Sequence, residues 1–320
     1  MLVSYSSSIQ SHDPCAALEY LIVLPSDGEF VRVQVKRLLL QTRAYGVLAG
    51  VVGPDGSRVG LGGSSGGALD AHFREAEVNE LLFECGEELV REGGGAGIGG
   101  AAELFALAGR YVDLLRLLNR ELASRLVDGE VVEDEGRRFW RNAALNFHAA
   151  HLSSGRTHVL EVLEGEGERG VGDTFELILN LISFFDKCRG GLWDEAWTQL
   201  DMLGLLPRTE AELGSRVDFV HSKLDNSLKQ HYHQVVLAGM ESLFQQHQGV
   251  KEAIAQLQSV LASGRGGDEG VQRNAIMTMD GRLVELRNRA RLIVTFAGLL
   301  QNRMSGDSNA RIARLEAFMM

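Results

Sequence analysis

Several residue patterns in this sequence have spacings that carry chemistry in other proteins. Gly95-Ala96-Gly97-Ile98-Gly99-Gly100 matches GxGxxG, in which a strand delivers the backbone to a pyrophosphate at a helix N-terminus. The residues before it, Leu81 to Glu92, read as a charged helix, and Glu84, Glu87, Glu88 and Glu92 would repel phosphate. The run is therefore expected to be a loop leading into a helix. Gly63-Ser64-Ser65-Gly66-Gly67 matches GxSxG, but a nucleophile elbow needs a strand before it and Asp and His partners after it. Its composition is that of a flexible linker.

Metal chemistry has two candidate pairs. His148 and His151 stand three apart on a predicted helix from Glu130 to Leu152, and His231 and His233 stand two apart on another. A site needs a third ligand and a second shell, and no cysteine or carboxylate is distinctively placed to supply them. An i, i+2 pair also points to different helix faces. Cys15, Cys85 and Cys188 are widely separated and odd in number, so they form neither a disulfide framework nor a metal knuckle and read as reduced, buried thiols. No catalytic, cofactor-binding or metal-ligating residue is expected.

Two further groups suit protein contact better than catalysis. Trp193 and Trp197 lie four apart, with Leu200 and Gly204 continuing the face; they read as a packing anchor between helices, with an exposed hot spot as the alternative. From Arg282 to Arg314 there are seven arginines (282, 287, 289, 291, 303, 311 and 314) against only Glu285 and Asp307. A solvated helix face, or a docking surface for an acidic partner or membrane-proximal segment, follows.

The elements that must hold these residues are helical. In 320 residues there are only 4 prolines and 7% aromatics, while 45% are hydrophobic, enough for a real core. The 38 glycines cluster at Gly53–Gly67, Gly93–Gly100, Gly165–Gly172 and Gly264–Gly270, which are expected to be loops between helices. From Asp173, a plausible N-cap, to Arg189 the polar positions Glu176, Asn180, Ser183 and Lys187 form one narrow stripe, so the rest of that helix needs cover on most sides. A second long helix, about Asp280 to Arg303, carries the seam Leu283, Leu286, Ala290, Ile293, Ala297 and Leu300. Ser305-Gly306-Asp307 then breaks the chain and caps a last helix through Phe318. Tight helix reversals are predicted at Gly109-Arg110-Tyr111 and at Gly190-Gly191-Leu192-Trp193. Together these predict an all-α, elongated, irregular solenoid of about ten antiparallel helices with Gly-rich insertions. Its expected division is 1–100, N-terminal helices with insertions, and 101–320, the C-terminal solenoid.

A net charge of −11 excludes a dedicated nucleic-acid binder, because phosphate neutralisation needs a concentrated basic surface. No stretch approaches the roughly 20 apolar residues of a membrane span. Met1 to Gln10 lacks a basic start followed by an apolar core, so no signal peptide is expected, and a reducing intracellular setting fits.

Four ordered blocks resemble the Nic (nucleoporin-interacting component) family of scaffold nucleoporins. The strongest is Arg289-Ala290-Arg291-Leu292-Ile293-Val294-Thr295-Phe296-Ala297-Gly298 followed by Ser305-Gly306-Asp307-Ser308-Asn309-Ala310-Arg311. The others are Asp173-Thr174-Phe175 with Leu181-Ile182-Ser183-Phe184-Phe185-Asp186, then Gly204-Leu205-Leu206-Pro207, and Ala101 to Asn119. The resemblance covers about 101–320, with Asp13-Pro14 and Ala17 to Leu21 as a thinner earlier match. It implies a non-enzymatic scaffold of the nuclear pore complex at the nuclear envelope, supporting nucleocytoplasmic transport of protein and mRNA. It also implies contact with other inner-ring nucleoporins, a small membrane-associated nucleoporin being expected at the C-terminal solenoid. Family members engage the central-channel trimer and the giant solenoids through an N-terminal region with a coiled coil, whereas this chain is expected to start inside the solenoid. A helical-repeat adaptor or vesicle-coat subunit is the alternative that the pattern alone leaves open.

Overall fold

The computed structural model describes residues 2–23, 28–53, 55–60, 66–126, 135–152, 158–263, 269–300 and 306–320. In chain order the helices are α1 (Leu2–Ile9), α2 (Pro14–Ile22), α3 (Gly28–Thr42), α4 (Tyr45–Leu48), α5 (Glu75–Glu92) and α6 (Gly95–Leu107). They continue as α7 (Tyr111–Ser124), α8 (Glu135–His151), α9 (His158–Gly165), α10 (Arg169–Arg189) and α11 (Trp193–Leu203). The last five are α12 (Leu213–Asp218), α13 (Asn226–Lys229), α14 (Tyr232–Ser263), α15 (Glu269–Leu299) and α16 (Gly306–Met319). The fold is all-α, as expected. The sixteen α-helices among the described residues exceed the predicted ten because α4, α12 and α13 are too short to show a period, and α1, α2 and α9 span only two turns or so. Contacts group the chain into two compact units, Met1–Glu121 with Glu133–Asp173, and Leu122–Val132 with Thr174–Met320.

In the first unit, the cap of α2 is dictated by the sequence. The Asp13 carboxylate accepts the Ala16 N–H at 2.9 Å, and Pro14 supplies the first helical residue without an orphan donor. The core runs through Leu18, Val35, Leu39, Leu82, Cys85, Leu104 and Leu115, all within 2% of full burial. α5 and α6 pack closely because a glycine on each helix receives a large side chain of the other. A Cβ on Gly86 would lie 2.6 Å from Cε1 of Phe105, and one on Gly100 would lie 3.1 Å from Cδ1 of Leu89. This corrects the loop expected at Gly95–Gly100: those residues form the first turns of α6, and the bare Gly97 and Gly100 let α6 approach Leu89 of α5.

The predicted reversals are present, and hydrogen bonds explain them. After α6, the Gly109 N–H donates to the Ala106 carbonyl and the Arg110 N–H to that of Phe105, with Gly109 at φ 70°. After α10, the N–H groups of Gly191 (φ 72°) and Leu192 donate in the same way to Cys188 and Lys187. Both are Schellman ends, in which a left-handed residue satisfies carbonyls that a helix terminus would strand. Gly167 closes α9 by the same pattern, so α10 begins at Arg169, one turn ahead of the predicted cap; Asp173 is an exposed residue inside it.

A small antiparallel hairpin, Val51–Val52 with Arg58–Val59, runs into the glycine-rich stretch 53–67, where only loop is expected. Val51 pairs with Val59 and Val52 with Arg58. Asp55 accepts the Ser57 N–H at 3.1 Å, and Arg58 reaches Asp70 at 2.6 Å with only 7% of its side chain exposed. Two-residue strands are too short to alternate legibly in sequence.

The second unit buries Phe175, Ile178, Phe184, Leu200, Val236, Met240, Leu243, Ile293 and Phe296. The predicted stripe of α10 holds: Glu176 and Asn180 are exposed, Ser183 and Lys187 are half-buried, and Phe175, Leu181 and Phe185 lie inside. Gln199 of α11 donates to the Asn180 carbonyl at 2.8 Å, fixing α11 along the stripe's edge. α14 and α15 form a long antiparallel pair, and every residue of the predicted seam from Leu283 to Leu300 is buried. Asp307 falls in the first turn of α16 instead of ahead of it, where its charge still complements the helix dipole.

Glycine substitutions separate tight packing from backbone freedom. Gly86→Ala is expected to destabilise the protein by about 1–3 kcal/mol, because Phe105 blocks the new methyl. Gly249→Ala, exposed mid-helix with nothing within 4 Å of the added carbon, is expected to stabilise it by about 1 kcal/mol. Urea unfolding of the two variants measures both.

Candidate functional site

The residues that could do chemistry are dispersed. Ser64 and Ser65 lie outside the described residues, while Gly66 and Gly67 lead into a short helical turn at Ala68–Ala71. The GxGxxG run is helical, and a Cβ on Gly97 would lie 3.2 Å from the Leu89 carbonyl, which leaves no open phosphate cradle there. His148 and His151 both sit on α8, but the His151 ring packs on Phe147 at 5.0 Å and on Tyr111 at 6.3 Å. His231 precedes α14 and His233 lies in its first turn, so the two do not share a helix. Among the described residues, no group of three His, Cys, Asp or Glu side chains is arranged to hold a metal ion. Desolvation pushes the thiols of Cys85 and Cys188 up to about 12, so neither is a reactive thiolate at neutral pH.

The groups that do come together are the tryptophans and the arginines, and they bind each other. The Trp193 carbonyl accepts from Ser242 Oγ at 2.9 Å and from Gln246 Nε2 at 3.1 Å, tying the start of α11 to α14. The guanidinium of Arg289 lies 5.6 Å from the Trp197 ring, 3.6 Å from Asp201 and 3.3 Å from Glu285. Arg282 reaches Asp194 at 2.6 Å, Arg311 reaches Glu241 at 2.5 Å, and Arg291 lies 3.9 Å from Glu316. Arg287 Nε donates to the Met319 carbonyl at 2.7 Å, where the last helix ends. Arg303 lies outside the described residues.

Five of the seven arginines read from the sequence, 282, 287, 289, 291 and 311, therefore reach acceptors on α11, α14 and α16, while Arg314 is exposed. Each exposed pair contributes about 0–1 kcal/mol. Their combined effect is to fix the register of α11, α14, α15 and α16 against one another, with Trp197 half-buried as the packing anchor.

The profile of the Nup93/Nic96 family matches residues 1–311. The chain belongs to the Nup93/Nic96 family. The zebrafish (Danio rerio) "Nuclear pore complex protein Nup93" is 28% identical over 330 residues, covering 100% of this chain and 35% of that protein. "Nucleoporin NIC96" of Saccharomyces cerevisiae is 23% identical over 334 residues, covering 99% of this chain and 36% of that protein. The chain thus spans about a third of the length of these Nup93/Nic96 relatives. The crystal structure of the Chaetomium thermophilum Nic96 SOL superposes with a TM-score of 0.69 at 14% identity, covering 98% of this chain and 46% of that one, and shows the shared helical solenoid fold.

The Nup93/Nic96 match reaches back through residues 1–100, further than the sequence blocks indicated, because the glycine-rich hairpin region interrupts the helical pattern there. In the strongest block, Arg289, Arg291 and Arg311 are the residues that reach α11, α14 and α16, so that block is a packing device. Among the described residues, no helix is long and apolar enough to cross a membrane.

One buried polar group had no signal in the sequence. His247, on the core side of α14, is fully buried, and neither ring nitrogen has a hydrogen-bond partner among the described residues. Desolvation, reinforced by Lys251 and Arg287, lowers its pKa to about 4. The unfolded chain binds that proton near pH 6.5 and the folded one does not, so stability falls as pH drops from 6.5 towards 4. We expect a loss of about 1–2 kcal/mol by pH 5. His247→Leu should flatten this part of the profile in urea unfolding at stepped pH; an unchanged slope would remove His247 as its source.

Proposed function

We propose that the chain is a structural component of the inner ring of the nuclear pore complex at the nuclear envelope. It acts through protein–protein contacts, without catalytic turnover or a cofactor, and thereby supports nucleocytoplasmic transport. Family membership over residues 1–311 carries this reading. The relatives' names favour the pore over the vesicle-coat alternative that the helical pattern had left open. The placement of the aromatic and arginine residues agrees with it: Trp193, Trp197, Arg282 and Arg289 lock helices together. Other inner-ring nucleoporins are the proposed partners. The small membrane-associated one is assigned to the C-terminal portion 101–320, where the family-like blocks concentrate. Contact with the channel trimer and the giant solenoids is assigned to the N-terminal region of longer family members.

Expression of the fluorescently tagged chain in cells depleted of the endogenous relative tests the proposal. A punctate nuclear rim and co-purification of inner-ring nucleoporins are expected. Recovery of vesicle-coat or tethering subunits without nucleoporins would overturn it.

A further inference from the structure

Within the first unit, α5 and α7 flank a cleft of about 540 Å³ whose floor is apolar. Phe83 packs against Phe105 with ring centroids 5.6 Å apart, and Val90 and Leu117 continue the floor. The rim is mainly basic: Arg91 from the end of α5, with Arg116 and Arg120 one turn apart on α7, against Glu87 and Asp113. Asp113 is already engaged by Arg110 at 3.6 Å, and the Arg110 guanidinium covers Phe83 at 4.4 Å. Arg116 reaches Glu168 at 2.8 Å, whereas among the described residues Arg120 pairs with its neighbour Glu121, at 3.3 Å. Arg91 is exposed and has no ion-pair partner among the described residues.

On a chain with a net charge of −11 the rim of this cleft holds three arginines against two carboxylates, and the exposed Arg91 is the guanidinium there with no carboxylate of its own among the described residues. Guanidinium groups grip carboxylates in a planar fork, so this rim selects acidic partners. From Phe83 to Arg91 the floor runs eight residues along α5, about 12 Å. That length takes about two turns of a helix or four extended residues.

We propose that this cleft is a docking site for a short segment of another protein in which an aliphatic or aromatic anchor is flanked by Asp or Glu. The anchor sits on Phe83, Val90 and Leu117, and its carboxylates meet Arg91 and Arg120. This rests on the scaffold reading only for its cellular setting, since the binding is measurable on the purified chain whatever its location.

Fluorescence anisotropy of the full chain with labelled peptides of about 12 residues tests it. One peptide carries Leu and Phe anchors among Glu, the second has Lys in place of Glu, and the third keeps Glu but has Ser in place of the anchors. The Glu-anchor peptide should bind, more weakly as salt rises, and the other two should bind at least about tenfold less well. Arg91→Glu with Arg120→Glu should cost the Glu-anchor peptide about tenfold and improve the Lys peptide.

Both positions are exposed, so the fold should survive; circular dichroism checks this, and Arg91→Ser alone replaces the pair if it does not. Equal binding of the Glu and Lys peptides, or unchanged affinity in the variants, would overturn the proposal. So would a dimer in sedimentation that the same substitutions dissolve, which would give the cleft to a second copy of this chain. Loss of the nuclear rim with intact peptide binding would instead count against the pore assignment and leave the cleft standing.

Discussion

A stack of antiparallel helices depends on where each helix stops. If the last carbonyls of a helix are stranded, the chain must spend residues satisfying them, and the next helix starts too far away to pack back. In this chain Gly109, Gly167 and Gly191 take left-handed conformations that bring their own N–H groups, and those of the residues after them, onto the last carbonyls of α6, α9 and α10. Arg110 gains a second role from this geometry, because the turn that ends α6 places its guanidinium over Phe83 of α5. The reversal, the helix pairing and the α5–α7 cleft therefore follow from one local backbone constraint.

The second constraint is distance between helix axes, and it explains the glycines that do not turn. A glycine inside a helix costs about 1 kcal/mol relative to alanine. α6 carries four in its first two turns, a cost that close packing must offset. Phe105 occupies the space that a side chain on Gly86 would need, and Leu89 and Tyr45 do the same at Gly100. In the second unit Gly239 plays this part beneath Leu200 and Leu206. The dispersion and burial gained where two backbones approach is the compensating term.

The legible parts of the fold were those with a period or a punctuation mark. The α10 stripe, the α15 seam and the two Gly-marked reversals could be read because apolar spacing and a left-handed glycine leave a signature in the local sequence. The Gly95–Gly100 run forms a helix where its composition suggests a loop, because composition cannot distinguish glycine that frees a loop from glycine that admits a neighbouring helix; the difference lies in Leu89 and Tyr45, which come from other helices. The hairpin at Val51–Val59 had too few residues to alternate. The arginines were visible as an excess of charge, yet their acceptors Asp194, Glu241 and Glu316 lie on other helices, so the sequence showed half of each pair. His247 looked like any histidine, and only its burial against Lys251 and Arg287 marks it.

These limits bear on how such a chain can acquire partners. Its most distinctive residues, Trp197 with Arg289 and Arg287 with the end of α16, are committed to holding helices in register. A partner that used them would have to compete with the fold. Side chains that the fold leaves less occupied lie along helix faces, as Arg91 and Arg120 do beside the Phe83 floor. Changing such residues alters the surface charge without disturbing a cap, a close approach or a buried seam. A solenoid of this kind separates the positions that keep it folded from those that determine what it holds, and recognition can change along its faces while the helix reversals stay fixed.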